Sequence, residues 1–305
     1  MTQGHIVFDR RLLRERRARA LALEPATFLI ERVAADFGER LATILRRFER
    51  AVDLGTPTGE VRRVLADSGK VGTIIAANPA ARLRGGMSAT DAAAFQVAAD
   101  EEMLPFADGS VDLVVSGLAL QFVNDLPGTL IQIRRALKAD GLLLAALLGG
   151  DTLCELRQAF AAAEFEVEGG VSPRVAPFAD LRDLGGLLQR AGFALPVTDV
   201  DRLTVRYASV GALMDDLRRM GATNPLVARR RKMLKRATLA RMAEIYLQRF
   251  ADPDGRIRAT FEIVWLSGWA PHASQQQPLR PGTARTRLAN ALGVQEIPAG
   301  EKAGR

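Results

Sequence analysis

The chain predicts an α/β fold built on a mostly parallel, seven-stranded sheet with helices on both faces. Three observations carry this. From residue 50 onward, short apolar runs alternate with longer amphipathic stretches. The runs at Val111–Ser116 and Leu142–Leu148 are nearly continuous in apolar residues, as strands covered on both faces must be. The stretch Ala51-Val52-Asp53-Leu54-Gly55-Thr56-Pro57-Thr58-Gly59-Glu60 drives an apolar run into an acid, a glycine-bearing turn and a helix-like segment. Glycines there let backbone approach a ligand with no Cβ in the way.

Taken in order, residues 1–48 read as an N-terminal helical cap. Phe28, Leu29, Val33, Phe37, Leu41 and Ile44 recur mostly at spacings of three and four, and Pro25 ends or kinks the first helix. Lying before the first strand, this segment can cover the sheet's ligand-bearing edge. Val71–Ala77 is the second strand, halted by Asn78-Pro79, and a short helix around Arg82 and Leu83 follows. Residues 95–98 suit a brief third strand and Val111–Ser116 the fourth. Leu126, Leu130, Ile133 and Leu137 form one stripe of a helix, and Asp140-Gly141 turns into the fifth strand. Thr152 with Glu155 has the form of a capping box opening a helix over 152–168. Further helices are expected at 179–191, 209–220 and 226–250. The last two strand-like segments, Asp199–Arg206 and Arg258–Trp269, make a closing antiparallel hairpin around a helical insertion, about 207–250. Removing that insertion is expected to leave a folded sheet domain over 49–270. Residues 271–305, rich in Gln, Pro, Arg and Gly, are expected to be largely disordered.

Composition narrows the function. The 305 residues, 48% hydrophobic, can bury a sizeable core. A single cysteine, Cys154, excludes an intramolecular disulfide and suits a reducing compartment. His5 and His272 stand at opposite ends with no partner at ligand spacing, so no metal site is expected. The most apolar run, Leu142–Leu148, falls far short of the ~20 residues of a membrane span. Asp9, Arg10 and Arg11 interrupt the place where a signal peptide has its apolar core. A cytoplasmic protein with at most peripheral membrane contact is the expectation.

The net charge of +7 is partly clustered, in Arg10, Arg11, Arg14, Arg16, Arg17 and Arg19, and again over 229–236. Such clusters attract RNA, anionic lipid or an acidic partner, although a solvated helix face is the simpler reading. Neither is interleaved with base-stacking aromatics, so nucleic acid is not the expected partner.

In an open parallel sheet the ligand lies beyond the carboxyl ends of the strands. There the sequence places Asp53 with the Gly55–Gly59 turn, then Asn78, then Asp100-Glu101-Glu102, then Ser116 through Pro127. The succession of acid-x-Gly turn, Asp-Glu-Glu-x-Leu-Pro-Phe, Asp-Leu-Val-Val-Ser and Leu-x-x-Asp-Gly resembles the methyltransferases that use S-adenosylmethionine (SAM). The group is the one that includes the malonyl-carrier-protein methyltransferase of biotin synthesis. Longer strings are similar to one branch, the methyltransferase-like assembly factor of mitochondrial respiratory complex I and its bacterial relatives. These are Val123-Asn124-Asp125-Leu126-Pro127, Gly149-Gly150-Asp151-Thr152-Leu153, Gly169-Gly170-x-Ser172-Pro173 and Ala259-Thr260-Phe261-Glu262-Ile263.

The resemblance implies a Rossmann-like fold with SAM as cofactor. It implies that Asp53, Gly55 and Gly59 hold the methionine end, that Asn78 stands at the ribose, and that Asp100, with Glu101 beside it, faces the adenine amino group. Ser116, Gln121 and Phe122 would line the mouth toward the substrate. Two departures predict weak cofactor binding: Pro57 replaces the middle glycine of the turn, and neutral Asn78 replaces the usual ribose acid. No residue takes a catalytic label, because methyl transfer needs mainly alignment. The branch implies modification or chaperoning of a complex I subunit, at an arginine side chain in the mitochondrial member. A non-catalytic chaperone with a degenerate site and an RNA methyltransferase are the alternatives.

Overall fold

A computed structural model describes residues 6–79, 95–276 and 286–295. Two compact units divide the chain, 1–271 and 272–305. In the first, helices α1 (Arg10–Ala22) and α2 (Phe28–Thr43) precede β1 (Phe48–Leu54), α3 (Glu60–Asp67), β2 (Val71–Ala77) and β3 (Phe95–Val97). There follow β4 (Val111–Gly117), α4 (Leu126–Ala136), β5 (Leu137–Leu148), α5 (Cys154–Glu168) and α6 (Leu181–Arg190). β6 (Ala194–Tyr207), α7 (Val210–Arg219), α8 (Arg236–Phe250) and β7 (Ile257–Trp269) complete it. Among the described residues, the second unit contains one short helix, α9 (Leu288–Leu292). The tail expected to be disordered therefore includes a helical turn, and the helix expected around Arg82 lies outside the described residues.

The strands form one sheet in the order β3-β2-β1-β4-β5-β7-β6, with β7 antiparallel to both neighbours and the rest parallel. Strand order reverses at β1, which pairs with β2 on one side and β4 on the other. Asp53 is level with Ala76 of β2 and Val115 of β4, so the strand ends there converge on one edge.

Burial on both faces follows residue by residue along the strands. Leu142, Leu144 and Ala146 point into a core with α2, α5 and α8, while Leu143, Ala145 and Leu147 point into one with α4 and α6. This is why those segments lack alternation in the sequence.

Four expectations change. α2 is not a cap: Val33, Phe37 and Leu41 are fully buried, and the helix packs on α3 as part of the main core. The insertion is also core, since Leu213, Met242, Ile245 and Tyr246 join the cluster that holds Phe261 and Leu144. The helix expected over 226–250 begins only at Arg236. The segment before it is held by ion pairs instead, Arg229 to Asp9 at 3.1 Å and Arg230 to Glu168 at 2.5 Å. The Thr152/Glu155 capping box does not form. Leu153 in the left-handed region (φ 53°) precedes α5. The Thr152 hydroxyl donates to the Glu262 carbonyl, and Glu155 accepts from the Thr260 N–H at 3.1 Å and from its hydroxyl at 2.5 Å. Two side chains that read as a local cap tie α5 to β7 across the sheet's edge.

Candidate functional site

The turn after β1 is shaped by Gly55, which takes φ 70° and whose N–H donates to the Ala77 carbonyl at 2.8 Å. Left-handed backbone favours glycine, and here a Cβ also has no room. It would lie 2.5 Å from Glu101 Oε1 and 3.0 Å from the Ala119 methyl. The space that glycine keeps open is thus filled by the Glu101 carboxylate, which is almost wholly buried. Gly59 is different. It precedes α3 at φ −90°, and the nearest atom to an added Cβ is Arg62 Nη2 at 3.6 Å.

The expected site residues do assemble on this edge, but each is engaged by the protein itself. Asp53, buried at the end of β1, accepts from the Thr56 hydroxyl and pairs with Arg62 of α3 at 2.8 Å. The Asn78 amide donates to the Thr56 carbonyl at 3.1 Å, and its N–H donates to Val97 at 3.0 Å. Ser116 is fully buried and donates to the Leu54 carbonyl at 2.8 Å, so its hydroxyl joins two strands and does not line the mouth. Asp100 accepts from Arg10 at 2.6 Å and also pairs with Arg14. Glu101 pairs with Arg10 and lies 3.5 Å from Arg17. Helix α1 therefore covers Asp100 and Glu101 with guanidinium groups. Burial pushes the Arg17 guanidinium below the usual arginine range, against the opposing pull of Glu101.

These arginines are what sequence reasoning missed. Positions 10, 14 and 17 follow spacings of four and three, one face of a helix, so the signal was present. In the sequence they read as a solvated cluster because their acidic partners lie some 90 residues away. Asp9 opens the same helix, its carboxylate held below the usual range by the Leu12 N–H and by Arg229.

Beside the turn lies a cavity of about 280 Å3. Its floor is Pro57, Thr58, Leu118 and, from the 3₁₀ turn Leu120–Phe122, Gln121 and Phe122, and its roof is α1 with residues 220–225. Leu29, Leu156, Phe160 and Phe261 make it mostly apolar. Asp53, Gly55, Asn78 and Asp100 do not line it. Two non-glycine residues in left-handed backbone, Leu118 (φ 51°) and Leu153 (φ 53°), do. Such conformations cost of order 1–3 kcal/mol each and concentrate at functional sites. Phe122 packs edge-on against Phe8 and Phe178 at 5.7 and 6.1 Å. Gln121 donates to the Leu118 carbonyl at 2.8 Å, yet its Oε1 is buried with no partner among the described residues, as is Thr58 Oγ1.

A glycine-turned loop after β1, an acid at its head and buried acceptors without donors fit a cofactor with donor groups and a nucleoside.

A family profile for a methyltransferase domain matches residues 52–145. The arginine hydroxylase NDUFAF5, mitochondrial, of Homo sapiens is 38% identical over 97% of this chain and 86% of its own length. Its Danio rerio counterpart is 36% identical over 94% and 90%. The chain belongs to this methyltransferase family. The malonyl-[acyl-carrier protein] O-methyltransferase of Gallionella capsiferriformans is 36% identical over 88% of the chain and 93% of its own length. A solved Anaeromyxobacter dehalogenans structure assigned to the type II methyltransferases covers 78% of this chain and 97% of its own at 18% identity. Its TM-score of 0.50 shows the shared fold. Among the described residues, no helix is long and apolar enough to cross a membrane.

Proposed function

We propose that this chain is a SAM-binding member of its family that acts on a protein partner, a respiratory complex I subunit during assembly, with an arginine side chain as the group addressed. The observation that supports this best is identity near 38% to the arginine hydroxylase over nearly the whole chain, the helical segments around the cavity included. The lone Cys154 suits a reducing compartment such as the cytoplasm.

Asp53, Gly55 and Gly59 would hold the methionine end of SAM, Asn78 the ribose, and Asp100 and Glu101 the adenine side. Bound SAM supplies an electrophilic methyl group on sulfonium. The chain's part is alignment, and the apolar walls around Gln121 and Phe122 exclude water from the group presented to it.

One arrangement favours a second reading, a non-catalytic assembly chaperone. Asp53, Asp100 and Glu101 are all paired to arginines of this chain, as in a site closed on itself. The RNA methyltransferase reading weakens, because Arg10, Arg14, Arg229 and Arg230 are spent on internal carboxylates. Calorimetry with SAM, together with membrane NADH:quinone activity in a strain lacking the gene, tests the assignment. SAM binding with lost activity supports the enzyme, lost activity without SAM binding supports the chaperone, and normal activity removes the assembly role.

A further inference from the structure

Where α1 covers the sheet edge beside the cavity, the charge is unbalanced. Three arginines, Arg10, Arg14 and Arg17, face two carboxylates, Asp100 and Glu101. Arg10 takes both acids and Arg14 takes Asp100. Arg17 is left with Glu101 at 3.5 Å as its only polar partner among the described residues, its side chain 14% exposed. A guanidinium carries five donors, and one carboxylate at 3.5 Å leaves most of those on Arg17 for a ligand in the cavity it lines. Its carbon sits 5.7 Å from the centre of the Phe122 ring. Adjacent to that ring, Gln121 Oε1 is a buried acceptor without a donor, on a residue 9% exposed that lines the same cavity. Arg17 on the roof has donors for an anion and Gln121 on the floor lacks a donor, and both lie by Phe122, whose ring Arg17 covers and which Gln121 precedes in the chain.

We infer that this part of the cavity is an α-amino-acid subsite, with Arg17 binding the ligand's carboxylate and Gln121 Oε1 accepting from its ammonium group. A zwitterion is the small group that supplies both needs at once. A plain carboxylic acid would leave Gln121 orphaned, and a plain amine would bring a second cation to Arg17. The inference rests on the SAM reading above, and it makes α1 part of the cofactor site, moving Gln121 from the acceptor's mouth to the cofactor's methionine end. Pro57, which removes a backbone donor from the turn, is then offset by a side chain from a different helix.

The test is calorimetry with two nucleosides on the whole chain: S-adenosylhomocysteine, which keeps the amino-acid end, and 5′-methylthioadenosine, which lacks it. The variants are Arg17→Met, Arg17→Lys and Gln121→Leu. Wild type should bind the homocysteine compound at least about ten-fold tighter, the scale of one charge-assisted hydrogen bond. Arg17→Met should weaken the homocysteine compound about ten-fold more than methylthioadenosine, whose retained binding also shows that the fold survives. Arg17→Lys should recover part of the preference, and Gln121→Leu should lower it several-fold. Equal losses for both nucleosides would assign Arg17 a structural role and overturn the inference. So would a preference that every variant retains, or equal wild-type affinities, with the SAM reading left standing. If wild type binds neither nucleoside, both readings fall.

Discussion

Replacing Gly55 by alanine tests whether Glu101 is held rigidly over the turn. Two costs add. Alanine at φ 70° carries about 1–2 kcal/mol of backbone strain. Its Cβ would also stand 2.5 Å from Glu101 Oε1 and 2.8 Å from Cγ. A free side chain would swing aside at little cost, but Glu101 is 1% exposed and paired with Arg10. Moving it strips a buried ion pair, and breaking such pairs costs about 3–5 kcal/mol. Part of that contact can relax, so Gly55→Ala should destabilise the protein by about 3–6 kcal/mol. Gly59→Ala is the control: its φ is ordinary and its neighbour lies 3.6 Å away, so only the poorer helix-cap propensity of alanine counts, at most about 1 kcal/mol. Urea unfolding at neutral pH measures both. In a Glu101→Ala background the contact with Glu101 disappears and only the closer approach to the Ala119 methyl at 3.0 Å remains, so Gly55→Ala should cost little more than the backbone term, about 1–2 kcal/mol. If Gly55→Ala costs the same in both backgrounds, Glu101 is not what fills the glycine's space and the reasoning fails.

Further outcomes follow from other contacts. Asn78→Asp, which restores the ribose acid by analogy, removes the donor to the Thr56 carbonyl and sets a carboxylate against it; a loss of about 1–3 kcal/mol in urea unfolding is expected. Removing residues 209–250 should abolish cooperative unfolding in place of leaving a sheet domain, and Met242→Ala alone should cost about 2–5 kcal/mol, both read by thermal denaturation. Glu168 is lowered to about 2 by the Thr238 hydroxyl, then by Arg230 and Lys235. Its folded pKa lies below its unfolded one, so the stability it contributes is full above about 4.5 and lost as pH falls toward about 2. The difference in melting temperature between wild type and Glu168→Gln should therefore shrink across that window, and a constant difference would show that the carboxylate's charge plays no part.

The sequence by itself determined the sheet and its edge. Continuous apolar runs such as Leu142–Leu148 could only be strands covered on both faces, and the acid-glycine turn marked the strand end where a ligand belongs, because these are local consequences of side-chain period and backbone freedom. Asp53, Asn78 and Asp100 could be assigned to one edge for the same reason. What those side chains do there was decided by tertiary structure. Thr152 and Glu155 match a local cap, yet both bond to β7, because an N–H about 110 residues away offers the same hydrogen bond in a buried place. Arg10, Arg14 and Arg17 read as a surface stripe until α1 is laid against Asp100 and Glu101. Ion pairing depends on distance in space, which a charge run does not record. The helices of the insertion likewise became core only when β6 and β7 closed the sheet and brought α8 onto α5, since burial belongs to the packed pair and not to either helix alone.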